Sequence, residues 1–213
     1  MEYLVSAIIG YMLGSIPTAY LLLKKVKGID ITKEGSQNVG AMNSYEVTDS
    51  KLLGLVVFII DAAKGALSVW VANLLFGDAF LICITALFFA VLGHCFSVWL
   101  KFKGGRGLAT AFGGSLLFTY SVPVLWIVFW IAAYVFRKNV HFGNVAATIL
   151  TGVIALVNSD TLNKYKYNKV PATEDGVFGI SVAAVMFLIV LKHLDFMKMW
   201  FFSQKRNARG DNK

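Results

Sequence analysis

The chain has 213 residues, of which 57% are hydrophobic and 15% charged, with a mean hydropathy of +0.67 and a net charge of +8. These values exclude an ordinary soluble domain, which is about 45–50% apolar and about 25% charged, and a disordered chain, which requires low hydrophobicity. They favour an all-α polytopic membrane protein, in which excess basic residues report topology before they indicate nucleic-acid binding.

Apolar stretches of about 20 residues are long enough to cross ~30 Å of hydrocarbon. Several such stretches follow one another along the chain, the last two of them short: residues 3–23, 52–76, 79–100, 107–136, 144–157 and 177–191. The fourth stretch is uncharged but is interrupted by Tyr120, Ser121 and Pro123. It is therefore either one long helix or a hairpin of two short helices.

The distribution of basic residues distinguishes these two topologies. With a hairpin and the N-terminus outside, the cytoplasmic segments carry 16 basic residues and the external segments carry three. With a single long helix the counts become 11 and 8, which is a weak asymmetry for a membrane protein. We therefore predict seven transmembrane helices, an external N-terminus and a cytoplasmic C-terminus. Residues 1–200 are predicted to form one integral membrane domain, and residues 201–213 a basic cytoplasmic tail.

Small residues within the apolar stretches predict packing. Gly10 and Gly14 form a small-xxx-small face, which is typical of close helix contact. The first stretch lacks a basic leader and a small-residue cleavage site, so we interpret it as a helix and not as a signal peptide. Cys83 and Cys95 are predicted to be packing residues, since the sequence offers no disulfide framework. No clustered metal-ligand spacing appears, so we expect neither metal nor cofactor.

The cytoplasmic loop at residues 101–107 is the strongest candidate for a binding site. It combines three glycines with three basic residues directly before a predicted helix. Backbone N–H groups, a helix N-terminus and cationic side chains together suit an oxyanion such as phosphate or carboxylate. The alternative is an anchor for lipid headgroups. We favour anion binding, because an anchor does not need the glycines.

Other polar residues lie at the same predicted side of the membrane. Residues 24–51 form a long loop containing Ser36, Asn38 and Asn43, which is either a solvated connection or part of a site. All three histidines (His94, His141 and His193) fall at predicted cytoplasmic helix ends, where a packing role is the more usual one. Asp61 and Lys64 lie three residues apart inside the second stretch, as an ion pair that braces the bundle or as part of a site or transport path.

Four ordered motifs resemble those of a known family. The strings GHCF and FKGGRGLAT at residues 93–96 and 102–110 resemble GHxFP…FKGGKGVAT. The strings GSIP, GSQNVGAMN and DAAKG, starting at residues 14, 35 and 61, resemble GSxP, GSGNxGATN and DxxKG. These signatures are those of the bacterial acyl-phosphate:glycerol-3-phosphate acyltransferases of the PlsY type, and the similarity covers residues 8–115.

The resemblance implies a multi-pass enzyme of the bacterial inner membrane with its active site facing the cytoplasm. Its activity would be transfer of a fatty acyl group from acyl phosphate to the 1-hydroxyl of glycerol 3-phosphate, giving lysophosphatidic acid and phosphate for phospholipid synthesis. The expected partners are these two substrates and membrane lipids, without nucleic acid, and we expect a monomer. The residues carried over as catalytic are Ser36, His94 and His193; those expected to bind substrate or phosphate are Asn38, Asn43, Lys103, Gly104, Gly105, Arg106, Gly107 and Lys192.

The chain also departs from the family pattern. Thr32 and Glu46 stand where the family has arginine, and Phe196 stands where it has asparagine. The segment KNVHFGN at residues 138–144 lacks both serines of the family's RxxSLGS. A relative with a changed substrate or lost catalysis is therefore an alternative hypothesis. A small transporter is a second one, which the absence of internal repeats disfavours.

Because acyl phosphate is an activated anhydride, the expected mechanism is positioning and charge stabilisation. The glycine-rich loop would hold a phosphate, and Ser36, Asn38 and Asn43 would orient substrate oxygens. His94 and His193 would add hydrogen bonds. A covalent ester on Ser36 is disfavoured, because the sequence nominates no base to activate this hydroxyl.

Overall fold

The computed structural model describes the backbone of residues 1–164 and 169–208, and side chains as far as residue 194. Within these residues the protein is helical. The α-helices are α1 (Glu2–Ser15), α2 (Thr18–Lys27), α3 (Ala41–Thr48), α4 (Lys51–Phe76), α5 (Phe80–Cys95), α6 (Leu108–Ser115), α7 (Ser121–Arg137), α8 (Val140–Val157), α9 (Ser159–Lys164) and α10 (Asp175–Ala208).

Four helical stretches are long and apolar enough to cross a membrane: Glu2–Lys27, Lys51–Phe76, Val140–Val157 and Asp175–Leu194. The shorter helices α5 and α7 are also apolar. Many large hydrophobic side chains of the helices, above all on α4 and α7, are exposed, as expected where the surrounding solvent is lipid. The prediction of an all-α polytopic membrane protein is confirmed.

The interrupted fourth stretch divides into two helices, α6 and α7, separated by residues 116–120. Pro123 lies in the first turn of α7, where the missing N–H group is not needed for an intrahelical hydrogen bond. Helix α6 has only eight residues and is therefore about 12 Å long. It covers less than half of a hydrocarbon core by itself.

The first predicted span is not one continuous helix. Proline disfavours helical backbone in the residue before it, and Ile16 is extended, with ψ 116°. Helix α1 therefore ends at Ser15, and α2 begins at Thr18. The Ile16 carbonyl freed by this break accepts hydrogen bonds from the Thr18 N–H at 3.0 Å and from Lys64 Nζ at 3.0 Å.

Close packing of α1 against α5 depends on glycine. A Cβ added at Gly10 or Gly14 would overlap the backbone carbonyl of Ala86 or Ala90, respectively. The predicted packing face is therefore confirmed. Helix α4 packs on α5 and α6, while α8 packs between α7 and α10.

The interior is apolar and aromatic. Phe118 and Phe178 are buried with Leu87 and Ile189 in the main hydrophobic cluster. Both cysteines are buried and free. Helix α10 runs to Ala208, so residues 201–208 continue a helix, and residues 209–213 lie outside the described chain. The division into a membrane domain and a tail stays a prediction.

Candidate active site

The glycine-rich loop folds back onto the end of α5. The Ser97 N–H donates to the Lys103 carbonyl at 3.2 Å, which closes the loop, and the Gly105 N–H donates to the His94 carbonyl at 3.0 Å. The Val39 N–H then donates to the Gly104 carbonyl at 3.2 Å. Two segments that the sequence places about 65 residues apart, the polar loop before α3 and the glycine-rich loop, therefore form one surface.

At two positions of the loop the folded structure favours glycine over any other residue, for reasons that the sequence does not reveal. A Cβ on Gly105 would overlap the His94 ring at Nε2 and lie 2.8 Å from the Val39 carbonyl oxygen. Gly107, the N-cap of α6, has a φ of +84°, which favours glycine. The loop therefore lies directly against His94 and turns sharply into α6.

Asn43 organises the polar loop from beneath. Its side chain is 1% exposed. Its Oδ1 accepts from the Ser36 N–H at 2.9 Å, and its Nδ2 donates to the carbonyls of Glu34 at 3.1 Å and Asn38 at 2.9 Å. With both amide hydrogens occupied, Asn43 shapes the turn that presents the half-buried Ser36 and Asn38. A direct contact of Asn43 with substrate stays a prediction.

A buried charged cluster lies under the loop. Lys64 Nζ is 2.9 Å from Asp61 Oδ1, and His94 Nδ1 is 3.6 Å from the same oxygen. The three side chains are at most 6% exposed. Because Lys64 also donates to Ile16, the cluster joins α4, α5 and the break between α1 and α2. The predicted bracing ion pair is present, and it supports a candidate catalytic histidine.

Arg106 is the half-buried cation of the site. Its Nη1 lies 3.1 Å from His141 Nδ1, at the start of α8. Burial lowers the pKa of the Arg106 guanidinium, and the negative charge of Glu46 opposes that shift. The guanidinium stays fully charged at neutral pH, because the ordinary pKa of an arginine side chain lies far above 7.

His193 is fully buried on α10. Its Nδ1 lies 2.8 Å from the Ile189 carbonyl oxygen. Since a carbonyl oxygen only accepts, Nδ1 carries the proton, and the neutral ring has its lone pair on Nε2. That Nε2 atom is buried and has no hydrogen-bond partner among the described residues, and a buried polar atom without one is rare.

The two lysines predicted to belong to the site, Lys192 and Lys103, have different environments. Lys192 Nζ lies 4.6 Å from the centroid of the Phe96 ring, a cation–π distance. Lys103 is exposed on the loop. Of the predicted site residues, the structure thus joins Asn38, Asn43 and Ser36 to Gly104 and Gly105 through backbone contacts, and places Arg106, His193 and Lys192 around the same end of the bundle.

The departures from the family pattern have different structural consequences. Thr32 donates to Asp30 Oδ1 from its N–H at 3.1 Å and from its hydroxyl at 2.6 Å. The hydrogen bond from the Thr32 hydroxyl is the main cause of the lowered pKa of Asp30. Lys33 is 78% exposed and 3.8 Å from Asp30, so it faces solvent. The side chain of Phe196 lies outside the described residues.

His141 was not among the candidate site residues predicted from the sequence, although its side chain contacts Arg106. It was recognised only as one of three histidines at predicted helix ends. The available signal was its position in KNVHFGN, where the family motif has a serine, because a polar family position occupied by another polar residue indicates a site.

Comparison with known proteins identifies the family. The family model described as Glycerol-3-phosphate acyltransferase matches residues 4–201. The glycerol-3-phosphate acyltransferase of Thermotoga petrophila is 35% identical over 147 residues, which are 69% of this chain and 74% of the relative. That of Ehrlichia canis is 32% identical over 189 residues, 88% of this chain and 89% of the relative.

Solved structures agree with the sequence relatives. The crystal structure of PlsY (YgiH), an integral membrane glycerol 3-phosphate acyltransferase in its glycerol 3-phosphate form, is 28% identical, with a TM-score of 0.73. The alignment covers 100% of this chain and 95% of that protein. Its lysophosphatidic acid form gives a TM-score of 0.72. The chain therefore belongs to the glycerol-3-phosphate acyltransferase family and is an integral membrane acyltransferase.

Proposed function

We propose that the protein transfers a fatty acyl group from acyl phosphate to the 1-hydroxyl of glycerol 3-phosphate, releasing lysophosphatidic acid and phosphate. The observation that carries this proposal is the half-buried Arg106 on the glycine-rich loop, close enough to the buried His193 to interact with its charge, while His193 Nε2 has no hydrogen-bond partner among the described residues. Related PlsY structures are described in glycerol 3-phosphate and lysophosphatidic acid forms, which supports the acceptor and the product.

In the proposed reaction, the 1-hydroxyl oxygen bonds to the acyl carbon as the bond from that carbon to the phosphate oxygen breaks. Arg106 and Lys103 stabilise the charge on the departing phosphate, which then takes the hydroxyl proton. Ser36 and Asn38 orient substrate oxygens, and His193 Nε2 accepts a hydrogen bond from the attacking hydroxyl. His94, held between Asp61 and Gly105, keeps the loop in place.

An apolar cavity supplies a place for the acyl chain. It has a volume of about 550 Å³ and lies between the α1–α2 break, α4 and Leu117. Its lining is almost wholly apolar except for Thr18 and Lys64. Lys64 belongs to the charged cluster that contacts His94 through Asp61, so the cavity borders the cluster that lies under the glycine-rich loop. We propose that the fatty chain lies in this cavity.

Filling the cavity should shorten the accepted chain. Ala63 lines it on α4, and we expect Ala63→Phe to raise the KM for palmitoyl phosphate about tenfold, by displacing several methylene groups. The KM for octanoyl phosphate should change less than about threefold, since a short chain leaves that volume unused. Leu74→Phe, on the same helix but outside the cavity, is the matched control. An equal effect on both donors would contradict this location.

The distribution of charge and contacts supports the finer topology. We propose seven transmembrane segments with the N-terminus outside, counting α7 separately from α6 together with the helical turns that continue α6 to Thr119. The contacts of Val39 with Gly104 and of Arg106 with His141 gather the connecting loops at one end of the bundle. The excess of basic residues assigns that end to the cytoplasm of a bacterial inner membrane. A monomeric state also stays a prediction.

Acyl transfer by detergent-purified protein tests the function. Palmitoyl phosphate and labelled glycerol 3-phosphate should give labelled lysophosphatidic acid, whereas acyl-CoA and acyl carrier protein thioesters should give none. Product from a thioester alone would contradict the proposed donor. Absence of product from every donor, with folded protein, would favour the alternative of a changed substrate or lost catalysis.

Two substitutions test the assigned site in the same assay. Arg106→Ala should lower kcat/KM at least about 100-fold, because a buried charge-assisted contact to phosphate is lost. Ser36→Ala should lower it about tenfold, as expected for one neutral hydrogen bond. Lys27→Ala, an exposed basic residue at the end of α2, should have no effect. Unchanged turnover in both site variants would refute the assignment.

A further inference from the structure

The contact between Arg106 and His141 constrains the state of the histidine. A guanidinium only donates hydrogen bonds. At 3.1 Å from Arg106 Nη1, His141 Nδ1 must therefore act as the acceptor. The imidazole is then neutral, with its proton on Nε2. The ring is half-buried in the second residue of α8, so the backbone of that helix defines where the acceptor lies.

An acidic group, Glu46, also attracts the Arg106 guanidinium. Glu46 is exposed on α3, and its carboxylate acts electrostatically on Arg106. An arginine side chain has many rotamers, and turning toward Glu46 would carry the charge toward water. His141 opposes this movement, because its hydrogen bond directs the guanidinium to the start of α8.

The start of α8 is itself suited to a bound anion. Asn139 caps the helix, with its Oδ1 accepting from the Phe142 N–H at 2.9 Å. The positive end of an 18-residue helix therefore lies next to the Arg106 guanidinium. Two positive groups in this position repel each other, and a bound anion would offset the repulsion. A contact that holds Arg106 at this place prepares the site for phosphate.

We propose that His141 is a positioning residue that holds Arg106 at the phosphate-binding site through the hydrogen bond to Nδ1. The inference rests on the proposed function, since it assigns the phosphate of the substrate to this cation. The family motif has a serine at this position. In this chain His141 replaces it, and it would act on the phosphate through Arg106.

The proposal has a consequence for pH dependence. Among the described residues, the charged or titratable groups that interact with His141 are Arg106 from the glycine-rich loop and His193 from α10. Both are cationic or become cationic on protonation. When His141 itself takes up a proton, Nδ1 can no longer accept, and the ring repels Arg106. Phosphate binding should then weaken as the pH falls.

Steady-state kinetics of the full-length enzyme in detergent test the positioning. We expect His141→Ala to raise the KM for glycerol 3-phosphate about tenfold with kcat changed less than threefold, since a hydrogen bond to a charged group contributes on that order. His141→Gln should restore the KM to within about threefold, because an amide oxygen can also accept. Lys138→Gln, which removes an exposed charge next to α8, is the control.

The pH profile separates positioning from packing. Glycerol 3-phosphate loses charge below its own pKa of about 6, so wild-type and variant enzymes share that effect. Between pH 8 and pH 5.5 the KM of the wild-type enzyme should rise more than that of His141→Gln, whose amide does not titrate. Identical profiles for the two proteins would overturn the proposal, as would an unchanged KM in His141→Ala.

A binding measurement keeps this test distinct from that of the overall function. At pH 8 and a concentration near the wild-type KM, glycerol 3-phosphate should raise the thermal unfolding temperature of the wild-type protein and of His141→Gln clearly more than that of His141→Ala. This result would support the positioning even if no donor gave turnover. An equal rise in all three proteins, or none in the wild type, would overturn it.

Discussion

Replacing Gly105 with alanine is expected to slow acyl transfer about 100-fold while leaving the helices folded. The added Cβ would overlap the His94 ring and press on the Val39 carbonyl, so both loops of the site must shift. A displacement of about 1 Å near reacting groups lowers rates about 100-fold. The measurement is kcat/KM with palmitoyl phosphate, together with circular dichroism and thermal unfolding.

Gly176→Ala is the matched control for this experiment. An added Cβ at Gly176, near the start of α10, meets nothing within 4 Å, and activity should be unchanged. If Gly105→Ala retained activity within about threefold of the wild type, the loop would be free to move, and the placement of the site against His94 would be wrong.

Breaking the buried ion pair is expected to have the largest effect on stability. Asp61→Leu leaves the Lys64 ammonium buried without its carboxylate, and removing one partner of a buried pair costs about 3–5 kcal/mol. Lys64→Met leaves the carboxylate of Asp61 in the same position. The double variant Asp61→Leu with Lys64→Met should be more stable than either single variant, because no unpaired charge is left.

Stability and activity should separate in the double variant. It recovers stability, yet His94 has lost the carboxylate beside its Nδ1, and the Ile16 carbonyl has lost its lysine donor. We therefore expect kcat/KM to stay at least about tenfold below the wild type, as for loss of a hydrogen bond to a charged group. Equilibrium unfolding in mixed micelles and the acyl-transfer assay measure the two effects. Additive losses of stability in the double variant would show that the residues do not interact.

Much of the fold could be predicted because the bilayer restricts it. Backbone polar groups in hydrocarbon must be satisfied within helices, so apolar stretches of suitable length directly indicate spans. For residues 107–136, the interruption at Tyr120, Ser121 and Pro123 allowed one helix or two, and the distribution of basic residues favoured two. The break at Pro17 was not predicted, although a proline within a helix indicates one. The stretch around it is apolar and long enough to span a membrane, and its length favoured a single helix.

The glycine-rich loop of the site could be predicted from the sequence, whereas the orientation of side chains in the polar loop could not. The glycine-rich loop combines local charge with local conformation, both of which are properties of neighbouring residues. Asn43 was predicted to bind substrate, which stays a prediction; the structure shows that its buried side chain also holds the backbone of residues 34–38. Which way a side chain in a polar loop points depends on carbonyl groups that come near it only in the folded turn.

The sequence by itself determined the membrane class, the family motifs and the end of the bundle where polar groups gather. Hydropathy, charge and motif spacing are properties of neighbouring residues, so they need no knowledge of the fold. Only the tertiary structure decided that Arg106 meets His141 and that Lys64 donates to the broken helix at Ile16. These partners are 35 and 48 residues apart. Their distances depend on how α4 and α8 pack against the rest of the bundle, and close packing, which no local pattern encodes, sets those positions to within an ångström.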